Sequence, residues 1–112
     1  MRFQNVEQVL AAVKRHFLPE KAGNTEAIIH LKISGEGGGD WTIHIGDGVL
    51  QTEPGVPPHA DLVFESTQPV FLTLANGELD PFKAYFSGQV RFQGSLRLVY
   101  RLSELFNLPR RD

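Results

Sequence analysis

The chain has 112 residues, 41% hydrophobic and 21% charged, a composition that fits one globular domain over 1–112 rather than a disordered chain. Eleven Lys and Arg against 13 Asp and Glu leave a net charge of −2, which as a whole-chain figure offers no electrostatic footprint for nucleic acid or an anionic membrane. The absence of cysteine excludes disulfides, thiolate nucleophiles, iron–sulfur clusters and Cys-ligated zinc.

Asn5 precedes Val6, Val9, Leu10, Val13 and Phe17, which fall on one helical stripe, and Gln8 stands where a capping box closes on Asn5. Pro19 is expected to stop that helix. Ile29, Leu31 and Ile33 alternate with Ile28, His30 and Lys32 as a strand with one buried face. Gly35 to Asp40 reads as a loop, and Trp41, Ile43 and Ile45 as the inward positions of a second strand. Asp47-Gly48 signals a two-residue hairpin turn, since both positions must accept positive φ, and Val49 to Glu53 returns as a third strand. Pro54, Gly55, Pro57 and Pro58 break the sheet before a fourth strand with Leu62 and Phe64 inward.

Ser66 or Thr67 then caps a helix carrying Val70, Phe71 and Leu74, with Gly77 just past its end. Asp80-Pro81 starts a short helix with Phe82, Tyr85 and Phe86, ended by Gly88. Val90 and Phe92 mark a fifth strand closed by Gly94, and Ser95 caps a last helix with Leu98, Val99, Leu102, Leu105 and Phe106. This order predicts an α+β fold, a five-stranded, largely antiparallel sheet with helices packed on one face. Seven of the eleven aromatic residues lie between Val70 and Phe106, which fits either a core built mainly by the second half or a cavity for an apolar ligand.

Signs of catalysis are weak. None of the serines stands in Gly-x-Ser-x-Gly, and the glycines at 35, 37 and 39 precede a strand, where a phosphate loop needs a helix N-terminus. The four histidines are single and widely spaced. If Ile33 faces Trp41 in the first hairpin, His30 lies opposite His44 on the outward face, as a solvated pair without a third metal ligand. Asp61 with Glu65, and Glu78 with Asp80, have ordinary strand-end and capping duties. No catalytic residue, metal site or cofactor is expected. The longest apolar run, Val9 to Val13, is far short of the ~20 residues that span a bilayer. No targeting signal is read, so a cytoplasmic protein without stable membrane insertion is expected.

The stretch from Leu79 through Asp80-Pro81, Ala84, Ser87-Gly88 and Val90-Arg91-Phe92 to Gly94 resembles the signature of the sterol carrier protein type 2 family. Pro19-Glu20-Lys21-Ala22-Gly23, Ile33-Ser34-Gly35 through Trp41, Asp47-Gly48, Gly55-Val56-Pro57 and Ala60-Asp61-Leu62 are similar to bacterial members of that family, so the resemblance runs from about residue 5 to 108. It departs from the usual pattern at Ser95 and, in the last helix, at Arg97, Val99, Tyr100 and Arg101, where bulk would narrow a tunnel.

The resemblance implies an apolar tunnel between sheet and helices. It also implies a non-catalytic lipid-binding or transfer protein for a fatty acid, fatty acyl thioester or similar single-chain ligand. The expected wall is Phe71, Leu74, Phe82, Tyr85, Phe86, Val90, Phe92, Leu98, Leu102 and Phe106, each of which also fits plain core packing, with Phe82, Tyr85 and Phe86 at the mouth. The alternative is an accessory or dimerisation module that presents a lipid-like substrate to a partner enzyme, for example in quinone biosynthesis or alkyl sulfate metabolism. Monomer and homodimer both remain open.

Overall fold

A computed structural model gives the architecture, and the structure describes residues 2–103. Helix α1 (Val6–Arg15) begins where the Asn5 side chain accepts from Gln8 N at 2.8 Å. The Gln8 side chain in turn accepts from Gln4 N, so the box closes one residue earlier than the Asn5 backbone. Val6, Val9, Leu10 and Ala12 are buried. The helix ends four residues before Pro19, with His16 N donating to Ala12 O. Phe17, expected on its stripe, lies beyond it and reaches the core from the connection. Pro19 does not stop α1; it opens a short helix, α2 (Pro19–Ala22), because a proline lacks only a donor that a first helical turn leaves unused.

The sheet has strands β1 (Ala27–Ser34), β2 (Gly39–Gly46), β3 (Val49–Pro54), β4 (Leu62–Thr67) and β5 (Val90–Gly94), in the order β3-β2-β1-β4-β5. Every neighbouring pair is antiparallel except β1 with β4, which is parallel. The sheet is therefore mixed but largely antiparallel. The β2–β3 turn has positive φ at Asp47 (54°) and Gly48 (74°), as a primed hairpin turn requires. In the β1–β2 hairpin Ile33 faces Gly39, not Trp41, which instead lies opposite Leu31. The strand starts inside the glycine run, where no side chain marks its beginning. Consequently His30 faces Thr42 and His44 faces Ile28, so the two histidines are not a cross-strand pair.

On one face of the sheet, Ile29, Leu31, Ile33, Ile43, Ile45, Leu50 and Leu62 pack with Val6, Leu10, Phe17 and Ala22 as a continuous core. Helices α3 (Gln68–Ala75), α4 (Pro81–Phe86) and α5 (Leu96–Ser103) supply the rest of that layer through Phe71, Leu98, Val99, Leu102 and, via Phe92, Tyr85. The parallel β1–β4 pairing forces the chain to cross β2 and β1 between Gly55 and Asp61. That strap is tied down on the opposite face: Gly55 N donates to Asp40 O, Thr42 Oγ1 to Gly55 O, and Asp61 N to Ile28 O. His30, only 9% exposed, and Thr42 are consequently buried on this outer side, with His30 Nε2 at 2.7 Å from Asp40 Oδ1.

The three later helices begin at side-chain caps. Thr67 Oγ1 accepts from Val70 N, Asp80 Oδ1 from Phe82 N and Lys83 N, and Ser95 Oγ from Leu98 N. Asp80 carries two of these bonds for a helix of only six residues. Asp80→Ala is expected to cost about 1 kcal/mol of unfolding free energy, read as a lower urea midpoint at unchanged slope; a midpoint equal to that of the unsubstituted protein would show that α4 does not depend on its cap. Among the described residues, no helix is long and apolar enough to cross a membrane.

Candidate functional site

The two halves of the inner face are covered unequally. Over β1, β2 and β3 the inner side chains are buried in a core shared with Val6, Leu10, Phe17 and Ala22. Over β4 and β5 they meet α3, a helix with an apolar sequence that buries none of its residues. Proline at its start and the Thr67 cap fix where α3 leaves β4, and Val70, Phe71, Leu72 and Leu74 remain half-buried. The sheet side supplies Phe64 and Phe92, a directly opposed cross-strand pair with ring centroids 5.3 Å apart. Phe71 approaches Phe64 edge-on at 5.9 Å, and Tyr85 lies 5.7 Å from Phe92. The result is an aromatic wall shared by α3, α4, β4 and β5, none of whose four rings is fully buried.

Of the ten residues expected from the sequence, the wall holds Phe71, Tyr85 and Phe92. Phe71, Leu74, Phe92, Leu98 and Leu102 are half-buried and face the helix–sheet layer or lie on elements that form it. Val90, 2% exposed, lies opposite Ser66 and is packed as sheet core. Phe82 and Phe86 stand out in solvent at 75% and 81% exposure, with Tyr85 between them at the border. Phe106 lies outside the described residues. Phe64 belongs to the wall but is absent from the expected set. Its inward position was readable from the alternation about Asp61 and Glu65, whereas its pairing with Phe92 depends on a register that the sequence does not display.

Polar chemistry is sparse along this wall. The Tyr85 hydroxyl is the only titratable group on the aromatic rings themselves, and Ser66, buried beside Val90, spends its hydroxyl on Thr67 O. Among the described residues no group of three or more His, Asp or Glu side chains is arranged to hold a metal ion. Such a surface can bury hydrocarbon and gives a charged ligand atom few fixed partners. A separate open cavity of about 600 Å³ lies beside the Pro54–Pro58 strap, bordered by Lys14, His44, Gln51 and Glu53, and shares no residue with the wall.

Residues 6–107 match the family model described as the SCP-2 sterol transfer family. The chain is 31% identical over 105 residues to hydroxysteroid dehydrogenase-like protein 2 of Homo sapiens, covering 91% of this chain and 25% of that protein. It therefore spans about a quarter of the length of the curated relatives it matches. Among solved structures it is similar to the palmitated SCP2L2 of Aedes aegypti, with a TM-score of 0.71 at 15% identity over 97% of this chain and 100% of that one. It is also similar to part of the sec-alkyl sulfatase PisA1 of Pseudomonas sp., with a TM-score of 0.83 at 18% identity over 92% of this chain and 16% of that one. At these identities the structural likenesses establish the shared α+β fold.

Proposed function

The chain belongs to the SCP-2 sterol transfer family, and from that premise we propose that it is a non-catalytic domain that binds a single-chain lipid, a fatty acid or fatty acyl thioester, between β4–β5 and helices α3 to α5. The observation that carries this reading is the half-buried aromatic wall of Phe64, Phe71, Tyr85 and Phe92 under a helix none of whose residues is fully buried. A second apolar surface laid against that wall would complete the burial that α3 leaves unfinished. An acyl chain supplies it without needing polar partners. Each methylene removed from water contributes about 0.8 kcal/mol, so roughly ten give about 8 kcal/mol before ordering and association costs bring the net to micromolar affinity. The palmitate named with the Aedes aegypti structure supports this ligand class.

In this reading Phe71, Leu74, Phe92, Leu98 and Leu102 line the chain, and Phe82, Tyr85 and Phe86 form its entrance. Phe86→Asp is the direct test at the entrance. Because Phe86 is exposed, the substitution should leave thermal unfolding unchanged, while displacement of a fluorescent fatty acid should weaken at least about tenfold, since a carboxylate resists entering an apolar contact. Unaltered affinity would remove Phe86 from the entrance.

A second reading has its own support. Both the human relative and PisA1 are far longer than this chain, so the same fold occurs as one part of proteins named for a dehydrogenase and a sulfatase. Here the domain would present a lipid-like substrate to a partner enzyme in the cytoplasm, as a monomer or homodimer. Both readings allow lipid uptake, so recovery of the chain in complex with a partner enzyme, rather than alone, is what favours the second.

A further inference from the structure

β3 is an edge strand, hydrogen-bonded to β2 on one side only. The two-residue turn at Asp47-Gly48 makes Gly46 and Val49 a pair that exchanges backbone bonds, and such pairs alternate along the hairpin. His44 with Gln51 and Thr42 with Glu53 follow in the same phase, which the bond from Gly55 N to Asp40 O continues. Leu50 and Thr52 therefore turn their N–H and C=O groups away from β2. Pro54 shares that outward phase, where its missing N–H costs the ladder nothing.

The open cavity of about 600 Å³ runs along this edge. Four consecutive strand residues, Gln51, Thr52, Glu53 and Pro54, border it. Neighbouring residues of a strand face opposite sides of the sheet, so a cavity touching all four straddles the edge instead of lying on one face. Lys14 borders it from α1, and Val56 and Pro57 of the strap give it an apolar flank. Lys14 and Glu53 thus bring opposite charges to one cavity, yet among the described residues neither forms an ion pair. Both are exposed.

We propose that this cavity takes a short peptide of three or four residues, laid in extended form along the free edge of β3. Its backbone would exchange hydrogen bonds with Leu50 and Thr52, as a strand added to a sheet does. Its ammonium end would meet Glu53, its carboxylate end Lys14, and one apolar side chain would lie against Val56 and Pro57. The edge from Leu50 to Pro54 is about 13 Å long, which matches such a peptide. A second copy of the chain suits this edge less well. Two-fold pairing about Thr52, the middle of the outward groups, would bring Lys14 toward Lys14 and Glu53 toward Glu53. The cavity shares no residue with the aromatic wall, so this site stands apart from the lipid reading.

Amide hydrogen exchange followed by NMR, with the tripeptide alanyl-leucyl-alanine as the probe, tests the proposal. At millimolar peptide, exchange at Leu50 and Thr52 should slow at least about tenfold, because their N–H groups gain acceptors. Gln51 and Glu53, whose N–H groups already face β2, should change less than about twofold. The same tripeptide acetylated and amidated at its ends should bind about threefold or more weakly, as should the free peptide to Lys14→Gln or Glu53→Gln. Glu20→Gln, at an exposed position on α2, should change affinity by less than about 1.5-fold. Unprotected Leu50 and Thr52 amides, equal binding of free and end-blocked peptide, or unchanged affinity in both charge variants would overturn the proposal. Protection that grows with chain concentration in the absence of peptide would also overturn it, by giving the edge to a second copy.

Discussion

Leu98→Trp is expected to abolish uptake of a long chain such as palmitate while leaving the domain folded and still able to take up octanoate. Leu98 is half-buried on α5 and packs against the core from the helix side, so if it lines the proposed lipid site, an indole there takes the volume of the far end of the chain. Excluding three or four methylenes from burial removes roughly 3 kcal/mol, about a hundredfold in affinity. A chain short enough to end before α5 loses nothing. Chain-length series measured by displacement on the purified variant read this directly. Equal affinities for palmitate in the substituted and unsubstituted proteins would place Leu98 away from the ligand, and loss of thermal stability would show that it is sealed core.

Gly94→Ala is expected to be the most disruptive conservative change in the second half. Gly94 pairs with Leu62 at the end of β5 and has a φ of 117°, a conformation that L side chains rarely adopt. A Cβ there would also be driven into the carbonyl oxygen of Asp61. That backbone has no room to yield, because Asp61 N donates to Ile28 O and Asp61 Oδ2 accepts from Ile28 N. Strain and overlap together should cost about 3 kcal/mol or more, a fall in melting temperature of roughly 10 °C. Because Gly94 sets the angle at which α5 leaves the sheet, lipid uptake should fall with it. A melting temperature within about 2 °C of the unsubstituted protein would show that the β5–α5 junction can relax.

The elements that were legible in the sequence are those whose signals are local. Asn5, Thr67, Asp80 and Ser95 cap the helices they were expected to cap, and Asp47-Gly48 makes the expected hairpin turn. Alternation placed Leu62 and Phe64 on the inner face. Misreadings arose where a local signal was silent. Gly39 has no side chain to show that β2 begins there, so the hairpin register was read two residues off. The stripe of α1 continues in period to Phe17, but the helix ends at Arg15 and the backbone turns at His16.

Long-range features were not legible at all. Nothing local announces that β4 runs parallel beside β1, so neither the strap from Gly55 to Asp61 nor the burial of His30 beneath it could be anticipated. The same limit applies to the candidate site. Val90 and Phe92 alternate identically in the sequence, yet one is sealed in the sheet and the other is half-open in the aromatic wall. Apolar residues that complete a core and those that wait for a ligand have the same composition and spacing. Only their exposure in the folded chain separates them, and that depends on how closely α3 approaches β4 and β5. Charge behaves similarly, since the sum over the chain hid the segregation between the first 80 residues and the segment after them.

The account rests on a lipid occupying the space between β4–β5 and the later helices. Native mass spectrometry of freshly purified protein, with solvent extraction and identification of whatever is released, tests that claim most directly. The account predicts a mass above that of the bare chain by close to one single-chain lipid per protein, or uptake to that ratio when fatty acid or acyl thioester is added. A bare mass that stays unchanged with both additions would contradict it.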